Sequence, residues 1–206
     1  MKDLLKQNKY YFFAVLLCLI LGGGLLFSLT KEEFTLWVNA RYTAFTDYFF
    51  WTFSLAGTLW FSFLTLLFVW WKKGWRTAVQ GVLCFSATAG IIQFLKHIIF
   101  PGTPRPTLHF EGVFDLRVLE WVEQLKTESF PSGHTAAAFA VATFLALSLS
   151  GKRYHWLLAL GALCVAYARV YLSQHFITDV YTGMCIGVIT TFLVYWATQG
   201  YVRTQK

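Results

Sequence analysis

Charge is scarce in this chain. Only 13% of its 206 residues are Asp, Glu, Lys or Arg, too few to solvate the surface of a soluble domain of this size. Acids are scarcest, ten in all, and they form no cluster of carboxylates suited to holding Mg²⁺. There are four cysteines, Cys18, Cys84, Cys164 and Cys185. Each lies inside an apolar run with no C-x-x-C spacing, so they read as small buried hydrophobes and not as a thiolate metal site or redox pair. Proline is also sparse, four residues, and Pro101, Pro104 and Pro106 crowd into one connection. A thiolate metal centre and a water-driven globular core are both disfavoured.

What the chain has instead is apolar length. Hydrophobic residues make up 57% of it and the mean hydropathy is +0.54. A bilayer span needs about 20 apolar residues. Five stretches meet that need and a sixth nearly does, at roughly 11–29, 48–71, 77–99, 133–150, 154–173 and 178–198. The expected fold is an all-α integral membrane protein: a six-transmembrane-helix bundle forming one membrane-embedded domain over residues 1–206. The first span reads as uncleaved, because its apolar run is long and lacks a small-x-small cleavage site.

The net charge of +7 does not point to nucleic acid, because it is laid out by side. Lys2, Lys6, Lys9, Lys72, Lys73, Arg76, Lys152, Arg153, Arg203 and Lys206 fall in segments that alternate to one side, with Asp3 as their one acid. The other 7 basic residues and 9 of the 10 acids fall on the opposite side. The positive-inside rule then predicts an inner (plasma) membrane protein with both termini cytoplasmic. Tyr10, Tyr11, Trp37, Trp51, Trp70, Trp71, Trp75, Trp156 and Trp196 sit at span ends and read as interfacial anchors, whereas Trp60, near mid-span, reads as packing. Gly183 and Gly187 form a G-x-x-x-G pair that suits close helix packing within the bundle.

The longest outer connection, 101–131, opens with a proline-rich turn that cannot continue a helix. It then places Leu116, Leu119, Val122 and Leu125 at spacings of three among charged residues. That pattern predicts a short amphipathic helix, on the membrane surface or over a site, between the third and fourth spans.

Three polar segments break the apolar background, all at the outer side. His175 and Asp179 are four apart and share a helix face. An Asp so placed can fix the tautomer of an imidazole and leave its other nitrogen free to attack. Arg169 ends the preceding span, aimed at the same mouth. Pro131-Ser132-Gly133-His134 opens the fourth span. Ser132 is a natural N-cap, and the free N–H groups and dipole of a helix start bind phosphate. Gly133 allows close approach, and His134 is placed to give a proton to a leaving oxygen. Lys96 and Arg105 add a point charge and a bidentate fork for phosphate oxygens. Each segment alone has an ordinary structural reading: a polar pair, a helix cap, a snorkelling lysine. His97 and His155 read as interfacial and His109 as a loop residue.

Taken together and in this order, the segments resemble the type 2 phosphatidic acid phosphatase superfamily, whose pattern runs K-x6-R-P, P-S-G-H and S-R-x5-H-x3-D. The second segment matches in full. The third matches at Arg169, His175 and Asp179, with Ala168 where the pattern has Ser. In the first, eight residues separate Lys96 from Arg105. The resemblance implies a membrane lipid phosphatase without metal or cofactor, acting at the outer face of the bilayer. His175 would be the nucleophile that forms a phosphohistidine, Asp179 would orient it, and His134 would serve as acid and then base. Lys96, Arg105, Ser132, Gly133 and Arg169 would hold the phosphate. Expected substrates are a polyprenyl pyrophosphate, phosphatidylglycerol phosphate, phosphatidic acid or a lipid A phosphate. A lipid-to-lipid phosphotransferase and a non-catalytic lipid-phosphate binding or transport protein are the alternatives. The bulge that keeps Lys96 beside Arg105 is expected at Gly102-Thr103.

Overall fold

The computed structural model describes residues 1–149 and 152–203. Gly151, the end of the fourth expected span at 150, and Lys206 lie outside them. Among the described residues the fold is all helical. A short α1 (Lys2–Gln7) leads into α2 (Lys9–Ser28), followed by α3 (Lys31–Asn39), α4 (Ala44–Ser54) and α5 (Leu59–Lys73). Then come α6 (Trp75–Phe94), the four-residue α7 (Pro106–His109), α8 (Gly133–Ser148), α9 (Trp156–Tyr171) and α10 (Ile177–Arg203).

Among the described residues three helices are long and apolar enough to cross a bilayer: α2, α6 with its extension to Ile99, and α10. The second expected span is broken. A single 3₁₀ turn, Leu55–Gly57, separates α4 from α5, and the two helices bend by 61°. Taken as one span they make a fourth. The fourth and fifth expected spans are shorter than the sequence suggests, because α8 and α9 have 16 residues each. At 1.5 Å per residue that is about 24 Å, against a hydrocarbon core of about 30 Å. Hydropathy counted residues on either side that the chain uses for turns.

The core sits around α8, which is buried on nearly every side from Thr135 to Leu147. Its run of alanines lets neighbours approach as helices must in lipid, where packing replaces the hydrophobic effect. The closest approach is by α10: a Cβ on Gly183 would stand 2.5 Å from the Ser132 carbonyl oxygen, and one on Gly187 2.4 Å from that of Ala136. The G-x-x-x-G pair is thus spent inside the bundle. Tyr11 does not act as an interfacial anchor, because it is fully buried and its hydroxyl shares a 2.7 Å hydrogen bond with Thr143 of α8. Trp60 does the reverse of what was expected, standing 77% exposed. His155 is buried instead of interfacial.

No helix forms over 116–126; the expected amphipathic helix is an irregular strap. Leu116 and Leu119 are buried, whereas Val122 is half-buried and Leu125 is exposed, so only part of the expected apolar face is covered. The backbone departs from helix because its polar groups are claimed by distant partners. Asn39, at the end of α3, donates to the Arg117 carbonyl at 2.8 Å and accepts from the Arg117 N–H at 3.1 Å. The Arg105 N–H donates to the Lys126 carbonyl at 2.8 Å. The Arg117 guanidinium reaches the buried Asp47 of α4 through both oxygens, at 3.0 and 2.5 Å, and the Tyr171 hydroxyl donates to the same carboxylate. Two charge-assisted bonds of this kind fix the strap to the bundle.

Candidate active site

Four helix ends meet beneath the strap. The third span ends there in a π-turn, Leu95–Ile99, closed by the Phe100 N–H donating to the Leu95 carbonyl at 2.8 Å. A π-turn takes one residue more than an α-turn. It therefore absorbs part of the long Lys96–Arg105 spacing, and Gly102, at φ +70, makes the tight turn that absorbs the rest. The left-handed turn at Gly102 lies where the bulge is expected, and the π-turn is an additional feature. Lys96 is buried, and its Nζ donates to the Glu128 carbonyl at 2.6 Å. Arg105 reaches the same carbonyl through Nη2 at 3.3 Å. The two cations stand side by side.

Arg105 is more tightly held than a loop charge would be. Its Nε donates to the Thr127 carbonyl, and its Nη1 donates to the backbone carbonyl and the side-chain Oε1 of Gln174. Four hydrogen bonds thus occupy a guanidinium with five N–H groups, leaving one for a ligand. Burial pulls the Arg105 pKa down, opposed by the charges of Asp179 and Glu128; an arginine still stays protonated in a protein. Arg169, at the end of α9, is buried and donates from Nη2 to Gln174 Oε1 at 3.2 Å. Its Nε is buried with no partner at all. An unmatched charged donor is costly unless an anion fills the gap.

The helix start at α8 is capped as its sequence predicts. Ser132 Oγ accepts from the Thr135 N–H, and the Ser132 N–H donates to the Asp179 carbonyl at 3.0 Å, tying this end to α10. His134 is half-buried and lies within electrostatic reach of Arg169, His175, Arg105 and Lys96. His175 is buried in the link between α9 and α10, with Nδ1 3.4 Å from Asp179 Oδ2. That contact is looser than a good hydrogen bond. Asp179 is itself held, accepting from Ser129 Oγ at 2.5 Å and from the Phe176 N–H at 3.0 Å. Burial, with Arg105 and Arg169 nearby, holds the His175 imidazole below its usual range, and the Asp179 charge opposes this only in part. The ring is neutral at neutral pH.

The structure thus brings Lys96, Arg105, Ser132, Gly133, His134, Arg169, His175 and Asp179 to one place. Three further participants were missed. Gln174 joins Arg105 to Arg169 through one oxygen, while its Nε2 donates to the Glu123 carbonyl and Gln124 Oε1 of the strap. Ser129 supports Asp179, and the Glu128 carbonyl, presented at φ +60, holds two cations. Only adjacence to His175 and Pro131 could have marked them, since amides and backbone carbonyls carry no motif of their own. Among the described residues no group of three or more His, Cys, Asp or Glu side chains is arranged to hold a metal ion. The arrangement can hold a tetrahedral anion between cations and a helix start, with an imidazole on either side.

Comparison with known proteins agrees with this geometry. A lipid A 4'-phosphatase of Porphyromonas gingivalis is 36% identical over 32% of this chain and 28% of its own length. Phosphatidylglycerophosphatase B of Bacillus subtilis is 33% identical over 36% of this chain and 46% of its own. The matched stretch therefore spans less than half of either relative. The crystal structure of Aquifex aeolicus LpxE superposes with a TM-score of 0.67 at 28% identity, covering 80% of this chain and 93% of that one. The profile of the PAP2 superfamily matches residues 77–203, more than half of the sequence and all of the residues gathered at the four helix ends. This integral membrane chain belongs to the PAP2 superfamily.

Proposed function

We propose that this chain is a lipid phosphatase that removes phosphate from a membrane lipid phosphate or pyrophosphate through a phosphohistidine on His175. The observation that carries the reading is the buried, unpartnered Arg169 Nε beside Arg105 and Lys96, with His134 in reach of all three cations and His175 in reach of both arginines. Phosphoryl transfer asks mainly for positioning and charge neutralisation. In the first step Nε2 of His175 bonds to phosphorus while Nδ1 stays turned to Asp179, and the bond from phosphorus to the leaving oxygen breaks. His134 gives that oxygen its proton. Water then attacks phosphorus, His134 takes up a proton from it, the bond from phosphorus to Nε2 breaks and returns its electron pair to the His175 ring, and inorganic phosphate leaves. Arg169, Lys96, the free N–H of Arg105 and the α8 start hold the equatorial oxygens. The substrates named for the relatives, lipid A and phosphatidylglycerol phosphates, support a phosphate presented at a membrane surface; polyprenyl pyrophosphate and phosphatidic acid present the same group.

In this reading all six spans cross the inner membrane as one domain, both termini are cytoplasmic, and the site faces the periplasm or outer surface. The shortness of α8 and α9 supports a site sunk slightly into the outer leaflet, at headgroup depth. The test is a labelled lipid phosphate offered to purified protein. Wild-type protein should release phosphate into water and carry an acid-labile, alkali-stable label. His175→Ala should lose both. Phosphate release by this variant at near-wild-type rate would remove His175 as nucleophile, and label passing to an added lipid alcohol would make the chain a phosphotransferase.

A further inference from the structure

An apolar groove of about 360 Å³ lies between α8 and α9, bounded on a third side by the bent pair α4 and α5. Its walls are two stripes. On α8 they are Ala138, Ala142 and Leu145, and on α9 they are Val165, Gly161 and Leu158. Each stripe runs at helical spacing, and each continues into the phosphate site. Ala138 is four residues beyond His134, and Val165 is four residues before Arg169, so each lies one turn below a site residue on the same face. The third wall ends at the site too: Ala56 lines the groove, and its neighbour Gly57 is packed so closely that a Cβ there would stand 2.7 Å from the His134 carbonyl oxygen. The head of the groove therefore lies one helical turn from His134 and from Arg169, whose Nε is buried without a partner.

We infer that this groove seats one hydrocarbon chain of the very lipid whose phosphate occupies the site, and so selects substrates by their tail. The inference rests on reading His134, Arg169 and His175 as the phosphate site. A tail gains no hydrophobic energy in passing from bilayer to groove, since both are apolar. What the groove supplies is depth and direction. A chain held along α8 and α9 fixes how high the phosphate rides and which face it turns to His175. Misplacement by about 1 Å can cost on the order of a hundredfold in rate.

Gly161 makes the test clean, because a Cβ built there meets nothing within 4 Å. Gly161→Ala, Gly161→Leu and Gly161→Phe fill the groove in steps without touching the site. Each full-length variant is assayed in detergent with a long-chain acyl lipid phosphate, a farnesyl pyrophosphate and a short-chain soluble phosphate ester. The expected result is a graded loss of kcat/KM for a long-chain substrate, reaching about tenfold to a hundredfold for Phe, with the soluble ester changed less than twofold. Whichever long chain is lost, acyl or prenyl, is the one the groove takes. Equal losses on all substrates, or no loss on any, would overturn the inference. A second measurement does not depend on turnover: a lipid phosphate with a diazirine on its tail, and the matching dephosphorylated alcohol, are photolysed with wild-type protein. Labels on α8 and α9 groove residues should need the phosphate. Equal labelling by the alcohol means that bulk lipid fills the groove, which would sink the proposal while leaving the phosphatase reading intact.

Discussion

At the scale of single residues, Gln174 carries the most consequence for the least visible signal. Arg105 and Arg169 are like charges held close together in a buried place, and their common acceptor is one amide oxygen. Gln174→Leu removes that acceptor while keeping the volume. Losing a hydrogen bond to a charged group costs about 1.5–3 kcal/mol, which corresponds to roughly tenfold to a hundredfold in rate if the fork is displaced. The expected outcome is a fall of that size in kcat/KM with helical content unchanged, read by steady-state kinetics and circular dichroism. Gln174→Glu, which keeps an acceptor between the guanidiniums, should restore part of the loss; identical effects of Leu and Glu would mean Gln174 only fills space. At Asp179 the expected loss for Asn is large but smaller than for His175→Ala, because in the proposed mechanism the carboxylate orients and stabilises the ring without joining the reaction.

At the scale of elements, the packing of α10 on α8 governs whether the site assembles. Gly183 faces the Ser132 carbonyl, and the Ser132 N–H is bonded to the Asp179 carbonyl one turn away. The helix that carries Asp179 and the helix start that carries Ser132 are thus registered by this hydrogen bond and by the glycine contacts beside it. Gly183→Val would drive a side chain into backbone, and backbone cannot give way as a flexible side chain can. Overpacking of this kind costs about 1–3 kcal/mol. The variant should melt several degrees lower in detergent and lose most of its kcat, whereas Gly90→Ala, where an added Cβ meets nothing, should leave both unchanged. Unchanged melting and activity in Gly183→Val would mean that α10 sits farther from α8 than it does here.

At the scale of the whole molecule, burial sets the pH range of the reaction. In the proposed mechanism His175 attacks unprotonated, so activity should be present above its pKa and be lost as pH falls through it. Because that pKa is held below the usual imidazole range, the acid limb of kcat/KM should fall below pH 6.5, the ordinary value. An acid limb centred at or above that value would count against a buried, neutral His175. The same site offers cations in place of a metal cluster, so the expected rate in EDTA equals the rate without it. Loss of activity in chelator with recovery on adding a divalent ion would redirect the chemistry to a metal-assisted path.

The sequence by itself determined the class of the molecule and offered the candidate residues of the site. Bilayer length and apolarity leave little freedom, so α2, α6 and α10 were legible as spans. Lys96, Arg105, His134, Arg169, His175 and Asp179 were legible because charges and imidazoles are rare in such a chain and expensive to keep there. Ser132 was legible as a cap because the rule involves only its own helix turn. Only the tertiary structure decided what depended on distant partners. The strap over 116–126 gave up its helix because Asn39, Asp47 and Gln174, remote in sequence, claim its polar groups. Tyr11 turned inward because Thr143 waits on the far side of the bundle. The π-turn at Leu95–Ile99 formed where Lys96 had to reach the Glu128 carbonyl. Periodicity reports which face of a segment is apolar. It is silent about which hydrogen-bonding group across the fold will offer the backbone a better partner than its own helix.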